Sequence, residues 1–333
     1  MKRPTIIVAL LAFSVVFPAQ AAAGTLNGVG TRVVTLLQGE LASSFHTTAG
    51  NRVHYTVLGP TRSFTDLAQG KANFAALDAP LSKAQATACP NCREIPRSVT
   101  AVGIGYHIPK IGNGLNLTGS VLAGIYLGQI TNWSDPRIEH LNPHRTLPNL
   151  KITPLFSSSA SDDTYVLTAY LADVSHRWRS SIGAGSQVKF KAGTGEAGNT
   201  AIGRMIKKTA GAIGYMTTPY LFTQPQIHEA RVQNAAGNFE YPSTDSVFDA
   251  AKPVTRIPDR GAWIVNPPKI RRQAYPIATF SSSLVLANPK QGRLLKRWLT
   301  FCVTTGRYAG LGTGFSALPA SVQRAAKAAI RAL

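Results

Sequence analysis

Between residues 25 and 79, three strand-like runs alternate with two helical ones, and few folds accept that rhythm. "LNGVGT" reads as a short strand ending in a glycine turn, and "RVVTLLQGELASSFH" as a helix. "NRVHYTVLG" alternates as a strand, "SFTDLAQGK" is a short helix, and "ANFAALDA" is a buried strand. A β-α-β-α-β succession of this kind predicts a parallel sheet flanked by helices. The rhythm continues with the strand "AVGIGYHIP", the helix "TGSVLAGIYLGQI", the loop "TNWSDPRI" and the strand "KITPLF". A strand at "SQVKFKA", a helix at "NTAIGRMIKKT", a turn at "AGAIGYM" and a helix at "TPYLFT" repeat it. Beyond about Gln224 the chain reads as irregular. "YPIATFSSSLVLA" restores a strand, and two helices, "QGRLLKRWLTFCVTTGRYAGLG" with a Gly stop and "SALPASVQRAAKAAIRAL", close the protein. There is no internal repeat.

The first residues read differently. Lys2 and Arg3 precede an apolar run from Ile6 to Phe17, and Ala19-Gln20-Ala21 supplies a cleavage site, so residues 1–21 are expected to be a secretory signal peptide. The run is too short for a membrane span, and no cysteine near the cut offers a lipid anchor. The expected mature protein is periplasmic or secreted. Its formal charge falls from +20 to +18 when Lys2 and Arg3 are lost. Those charges are scattered, with no long basic run interleaved with aromatics, so specific nucleic-acid binding is not expected. Attraction to an anionic envelope surface, or a plain solvated surface, accounts for them. Cys89 and Cys92 have C-x-x-C spacing without the second pair a zinc site needs, and an oxidising compartment favours a small disulfide. Cys302 reads as a buried free thiol.

Motifs of catalysis are weak. "GTGEAG" places Gly193, Gly195 and Gly198 as a dinucleotide fingerprint would, but the nearest downstream acid is Glu229, past the ~20-residue spacing such a site uses. No G-x-S-x-G elbow is present. Pro143 separates His140 from His144 and spoils a shared helix face. No cofactor, no metal and no enzyme activity are therefore expected. Two features remain. Asp78 follows a buried strand at its C-terminal end, where parallel sheets place ligand groups. The serine-rich loop "FSSSASDD" opens a helix, and helix N-termini hold anions, yet this one carries two carboxylates.

"LNGVGT", "LDAPLS", "LNLTGSVLAGIYLGQITNWSDPRI", "AGAIGYM", "YPIATFS" and "ALPAS" occur in this order. Together they resemble the periplasmic phosphate-binding proteins of phosphate ABC transporters, from about Thr25 to the C-terminus. The resemblance implies a two-lobed α/β fold, each lobe a central sheet flanked by helices, with the ligand cleft between lobes. One lobe would hold residues 25–106 and 275–333, the other residues 107–274. It further implies a monomer that captures phosphate or a related oxyanion for an ABC transporter permease.

Carried over by position, the resemblance assigns ligand contacts to Thr31, Arg32, Asp78, Ser157, Ser161 and Asp163. The match is incomplete. Arg32 and Val33 stand where a Thr-Phe pair is usual, and Pro60, which has no N–H, replaces a Ser. Ser157 replaces the Arg that clamps the anion, and Asp162 and Asp163 replace a Gly and a Thr, while Ser161 is kept. Asp in a first helical turn satisfies the free N–H groups, so these two are expected mostly to cap their own helix. Facing an anion at ~5 Å, one such carboxylate would repel it by ~3 kcal/mol, over a hundredfold in affinity. The alternative is the same fold with a lost phosphate site. It would then be a basic envelope protein for another small ligand, such as a cation or amine, or for an anionic surface.

Overall fold

The computed structural model describes residues 24–32, 34–258 and 261–333; the expected signal peptide and Val33 lie outside them. β1 (Thr25–Gly30) leads into α1 (Thr35–Ala49), which stops at Gly50 with φ 66°, a left-handed position glycine takes without strain. β2 (Arg52–Val57), α2 (Pro60–Ala68) and β3 (Phe74–Leu77) complete the β-α-β-α-β unit. β1 pairs in parallel with both β2 and β3, as the rhythm requires. A capping box starts α3 (Lys83–Ala88): the Ser82 hydroxyl accepts the Gln85 N–H and the Gln85 side chain accepts the Ser82 N–H. The Cys89 and Cys92 sulfurs are joined as a disulfide between α3 and the next strand.

That strand, β4 (Cys92–His107), is 16 residues long and buried along most of its length. Short elements follow: β5 (Asn116–Leu117), α4 (Gly119–Tyr126) and α5 (Pro136–Glu139). Then come β6 (Thr153–Ser157), α6 (Asp162–Val174) and α7 (His176–Ser181). The expected strand at "SQVKFKA" does not form. Its alternation instead buries Phe190, whose ring packs with those of Tyr126, Phe156 and Trp178. The place beside β6 is taken by β7 (Thr194–Glu196), within the "GTGEAG" stretch. Gly193 at φ 108° permits this, since a Cβ there would lie 2.5 Å from the Pro154 carbonyl oxygen.

After α8 (Gly198–Lys208), the stretch read as the turn "AGAIGYM" is a fully buried strand, β8 (Ala212–Thr217). Only Gly211, at φ 85°, makes a turn. Gly214 lets α8 approach, because a Cβ would meet Ile202 at 2.7 Å. α9 (Thr218–Leu221) follows directly. The stretch expected to be irregular holds β9 (His228–Glu229), β10 (Arg231–Gln233), β11 (Phe239–Glu240) and α10 (Thr244–Ala251), the last capped by Ser243. β12 (Ala278–Leu286), α11 (Gly292–Val303) and α12 (Ala320–Arg331) end the chain.

The main sheet runs β2-β1-β3-β12-β4-β8-β6-β7. β4 carries two partners in succession: Cys92–Ala101 pairs with β12, and Val102–His107 with β8. One long strand thus passes from the first lobe into the second, and the C-terminal ends of β1, β3 and β6 look onto the crevice between them. Phe45, Phe74, Trp298 and Phe301 pack beneath the first lobe, and Tyr126, Phe190 and Tyr215 within the second. Burial of such rings supplies most of the stability available to each lobe.

Candidate functional site

The four buried residues of β3, Phe74–Leu77, deliver Asp78 to the end of the strand, 2 % exposed. Its carbonyl accepts the Thr279 hydroxyl of β12 at 2.9 Å, which fixes the backbone. Neither carboxylate oxygen makes a well-formed hydrogen bond. Burial pushes the acid up to about 6, while the Ser281 hydroxyl and the Arg97 guanidinium beside it pull it back. Thr31 sits buried just past β1, its hydroxyl also without a partner, and its carbonyl accepts the Tyr55 hydroxyl at 2.8 Å. An unpartnered buried oxygen costs stability unless something completes it.

The facing wall is the loop from β6 into α6. Ser161 is the N-cap of α6, its hydroxyl accepting the Thr164 N–H at 3.1 Å. The other serines are spent locally. The Ser157 hydroxyl donates to the Ser159 carbonyl at 2.9 Å, and the Ser158 hydroxyl to the Glu196 carbonyl at 3.1 Å. The Ser157 N–H donates to the Tyr215 hydroxyl, which also meets the Thr164 hydroxyl at 2.6 Å.

The two acids after the cap depart from the expected capping role. Asp162 reaches across the crevice, and its Oδ2 accepts the Asp78 N–H at 2.8 Å. It keeps some exposed surface, but its carboxyl sits where water is scarce and is pushed up to about 8, by burial first and the Asp78 charge second. Asp163 is buried and pushed up to about 7 by the same two causes, with the Asn199 amide pulling back. Ser161 has already satisfied the helix end, which is why these carboxylates turn inward.

Two cavities are lined by residues of both lobes around this loop. One, of about 420 Å³, is lined by Arg32, Ser157, Ser161, Asp163 and Asn199 among others. The second, of about 400 Å³, is lined by Thr61, Gln85, Asp162, Tyr165 and Gln187 among others. Of the sequence-derived candidates, Arg32, Ser157, Ser161 and Asp163 therefore share one cavity. Asp78 lies at the meeting point of the lobes. Pro60 occupies the first turn of α2, where its missing N–H costs the helix nothing. Among the described residues, no group of three or more His, Cys, Asp or Glu side chains is placed to hold a metal ion.

Sequence reasoning missed Arg97. It stands in the middle of β4, 2 % exposed, and donates to the Ser281 hydroxyl and the Ser282 carbonyl, each at 3.3 Å. The Gln38 amide oxygen of α1, oriented to satisfy both groups, accepts from it as well. Burial lowers its pKa, and the nearby Asp78 charge works against that. Asp78 is a buried acid whose charge acts on it. A lone Arg in the otherwise uncharged run "IPRSVTAVGIGY" is the only signal sequence offers.

Two lobes joined through a shared strand, with polar groups gathered in the crevice between them, define an extracytoplasmic-type solute-binding protein. Residues 16–305 match the family model described as a PBP superfamily domain. The chain is 32 % identical to the phosphate-binding protein PstS of Pasteurella multocida, over 75 % of this chain and 72 % of that one. It is 27 % identical to the PstS of Haemophilus influenzae over 91 % of each. The phosphate-binding protein structure from Stenotrophomonas maltophilia superposes with TM-score 0.63 at 18 % identity, covering 91 % of this chain and 93 % of that one. The chain belongs to the PstS phosphate-binding protein family within the PBP superfamily, a family of solute-binding proteins rather than enzymes.

Proposed function

We propose that this protein captures phosphate outside the cytoplasm and delivers it to the permease of an ABC importer. The carrying observation is the buried Asp78 carboxyl, whose two oxygens stand without partners where Asp162 reaches it from the other lobe. An acceptor so placed is completed by an oxyanion that bears a proton, and phosphate bears one near neutral pH where sulfate does not. Thr31, Arg32 and Asp163 are its proposed companions at the ligand, and Ser157 and Ser161, whose hydroxyls are engaged locally, are proposed to line the site. The proposed lobes are residues 25–106 with 275–333, and residues 107–274. The change of partner along β4 after Ala101 supports the division. Removal of residues 1–21 on export to the periplasm, and a monomeric state, complete the proposal.

Calorimetry with phosphate and sulfate tests it. Binding of phosphate and silence toward sulfate are expected; sulfate binding, or none by phosphate, would overturn it. One observation favours a second reading. Asp78, Asp162 and Asp163 put three carboxyls at the crevice, against the exposed Arg32 among the described residues that line the cavity with Asp163. Such a site suits a cation or amine, with the basic surface facing an anionic envelope. An ammonium compound titrated in the same experiment would reveal it.

A further inference from the structure

We propose that Asp162 is a tethered competitor of the oxyanion, and that the ligand enters with a proton that neutralises it. The inference rests on the phosphate reading and concerns how that same site is regulated. The geometry carries it. The Asp162 carboxylate leaves its own helix, crosses between lobes and takes the Asp78 N–H at 2.8 Å, over a separation of 84 residues. A backbone N–H at a strand end in the crevice is the kind of donor that holds an oxyanion oxygen. Here the protein's own carboxylate holds it; Asp162 lines the cavity of about 400 Å³, and its neighbours Ser161 and Asp163 line the one of about 420 Å³. The central position is thus already filled by an anion that the chain supplies.

Asp162 is surrounded mainly by acids. Asp78 faces it from β3, Asp163 and Tyr165 belong to its own helix, Glu94 acts on it from β4, and Tyr55 approaches from β2. The buried cation nearby, Arg97 of β4, stands behind Asp78 and is held by Ser281 and Ser282. Arg32 lines the cavity that holds Asp163, not the one that holds Asp162. A fully ionised cluster therefore presents net negative charge to any entering anion, at several kcal/mol for close pairs in a partly dry site. Protonation of Asp162 removes that repulsion and turns one carboxyl oxygen into a donor. With its carboxyl pushed up to about 8, Asp162 ionises at the alkaline edge of the neutral range, and there the competition is strongest.

Phosphate affinity of the parent, Asp162→Asn and Asp162→Gly, measured from pH 6 to pH 9, tests the proposal. Asn imitates the protonated acid, and Gly removes the side chain. Both variants are expected to bind at least tenfold more tightly than the parent at pH 9, with the gap closing toward pH 6. Free phosphate at pH 9 already carries the proton it offers Asp78, so calorimetry of the parent in buffers of different ionisation enthalpy should show close to one proton taken up per phosphate there, the one that neutralises Asp162. An uptake near zero overturns the inference, even where a variant fails to fold. Parallel pH profiles for folded parent and variants overturn it too, while leaving phosphate capture standing. No phosphate binding by any of the three at pH 6 removes the functional reading and this inference together. A parent silent at pH 9 beside a binding Asp162→Gly supports both.

Discussion

The two walls of the crevice are built of similar polar residues and treat them in opposite ways. On the first lobe, Thr31 and Asp78 sit on rigid strand ends, buried, with side-chain oxygens that nothing completes. On the second, the hydroxyls of Ser157, Ser158 and Ser161 are all engaged by their own loop, by β7 or by α6. A wall whose polar groups are unsatisfied is poised for a ligand; one whose groups are satisfied is scaffold. The difference lies in local hydrogen bonding, and composition does not show it. Asp162 is the exception on the second wall, and it spends its carboxylate on the first.

The largest effect should come from the poised wall. Asp78→Ala removes the unpartnered acceptor, and phosphate affinity should fall about 10- to 150-fold, the 1.5–3 kcal/mol of a hydrogen bond to a charged group. A change below threefold by calorimetry would erase the contrast between the walls.

Next is stability of the ligand-free protein. Asp162 is raised to about 8 in the fold and titrates near 3.9 when unfolded. A folded-state pKa above the unfolded one gives stability that is fully present below pH ~4 and lost as pH rises toward 8. Asp162→Asn has no such loss. Its melting temperature relative to the parent should therefore climb between pH 4 and pH 8. A constant or falling difference across that window would show that the carboxyl is not held in a dry crevice.

Ser161→Ala probes the scaffold wall. Loss of the N-cap should cost about 1 kcal/mol in urea unfolding. Phosphate affinity should stay within about threefold, because the hydroxyl already serves the Thr164 N–H. A loss of affinity larger than the loss of stability would promote Ser161 to a ligand contact and redraw the comparison.

How much of this was legible follows the distance over which each signal acts. The β-α-β-α-β unit was readable because strand alternation and the Gly50 stop are local. Asp78 was readable as a polar residue closing a buried strand. β8 was misread as a turn because its glycine, Gly214, serves the packing of α8, a contact made by a separate segment. Phe190 imitated a strand because one ring needed burial. Arg97 and the Asp162 crossing depend on groups 184 and 84 residues away, and no window on the sequence spans them.

Arg32 should give the smallest effect, and it decides whether the second wall's missing clamp has a substitute. Ser157 stands where the family resemblance expects an Arg, and its hydroxyl is engaged with Ser159. Arg32 brings a guanidinium to the same cavity from the opposite lobe, but its side chain is exposed. Solvent screens an exposed cation, so its pull on an anion is worth about 0.2–1 kcal/mol rather than the full value of a buried pair. Arg32→Ala should then weaken phosphate binding by about fivefold at most, and 0.5 M salt should erase the difference. A loss above twentyfold that persists in salt would mean that Arg32 folds into the site around the ligand. The two walls would then be poised alike once the cleft is filled.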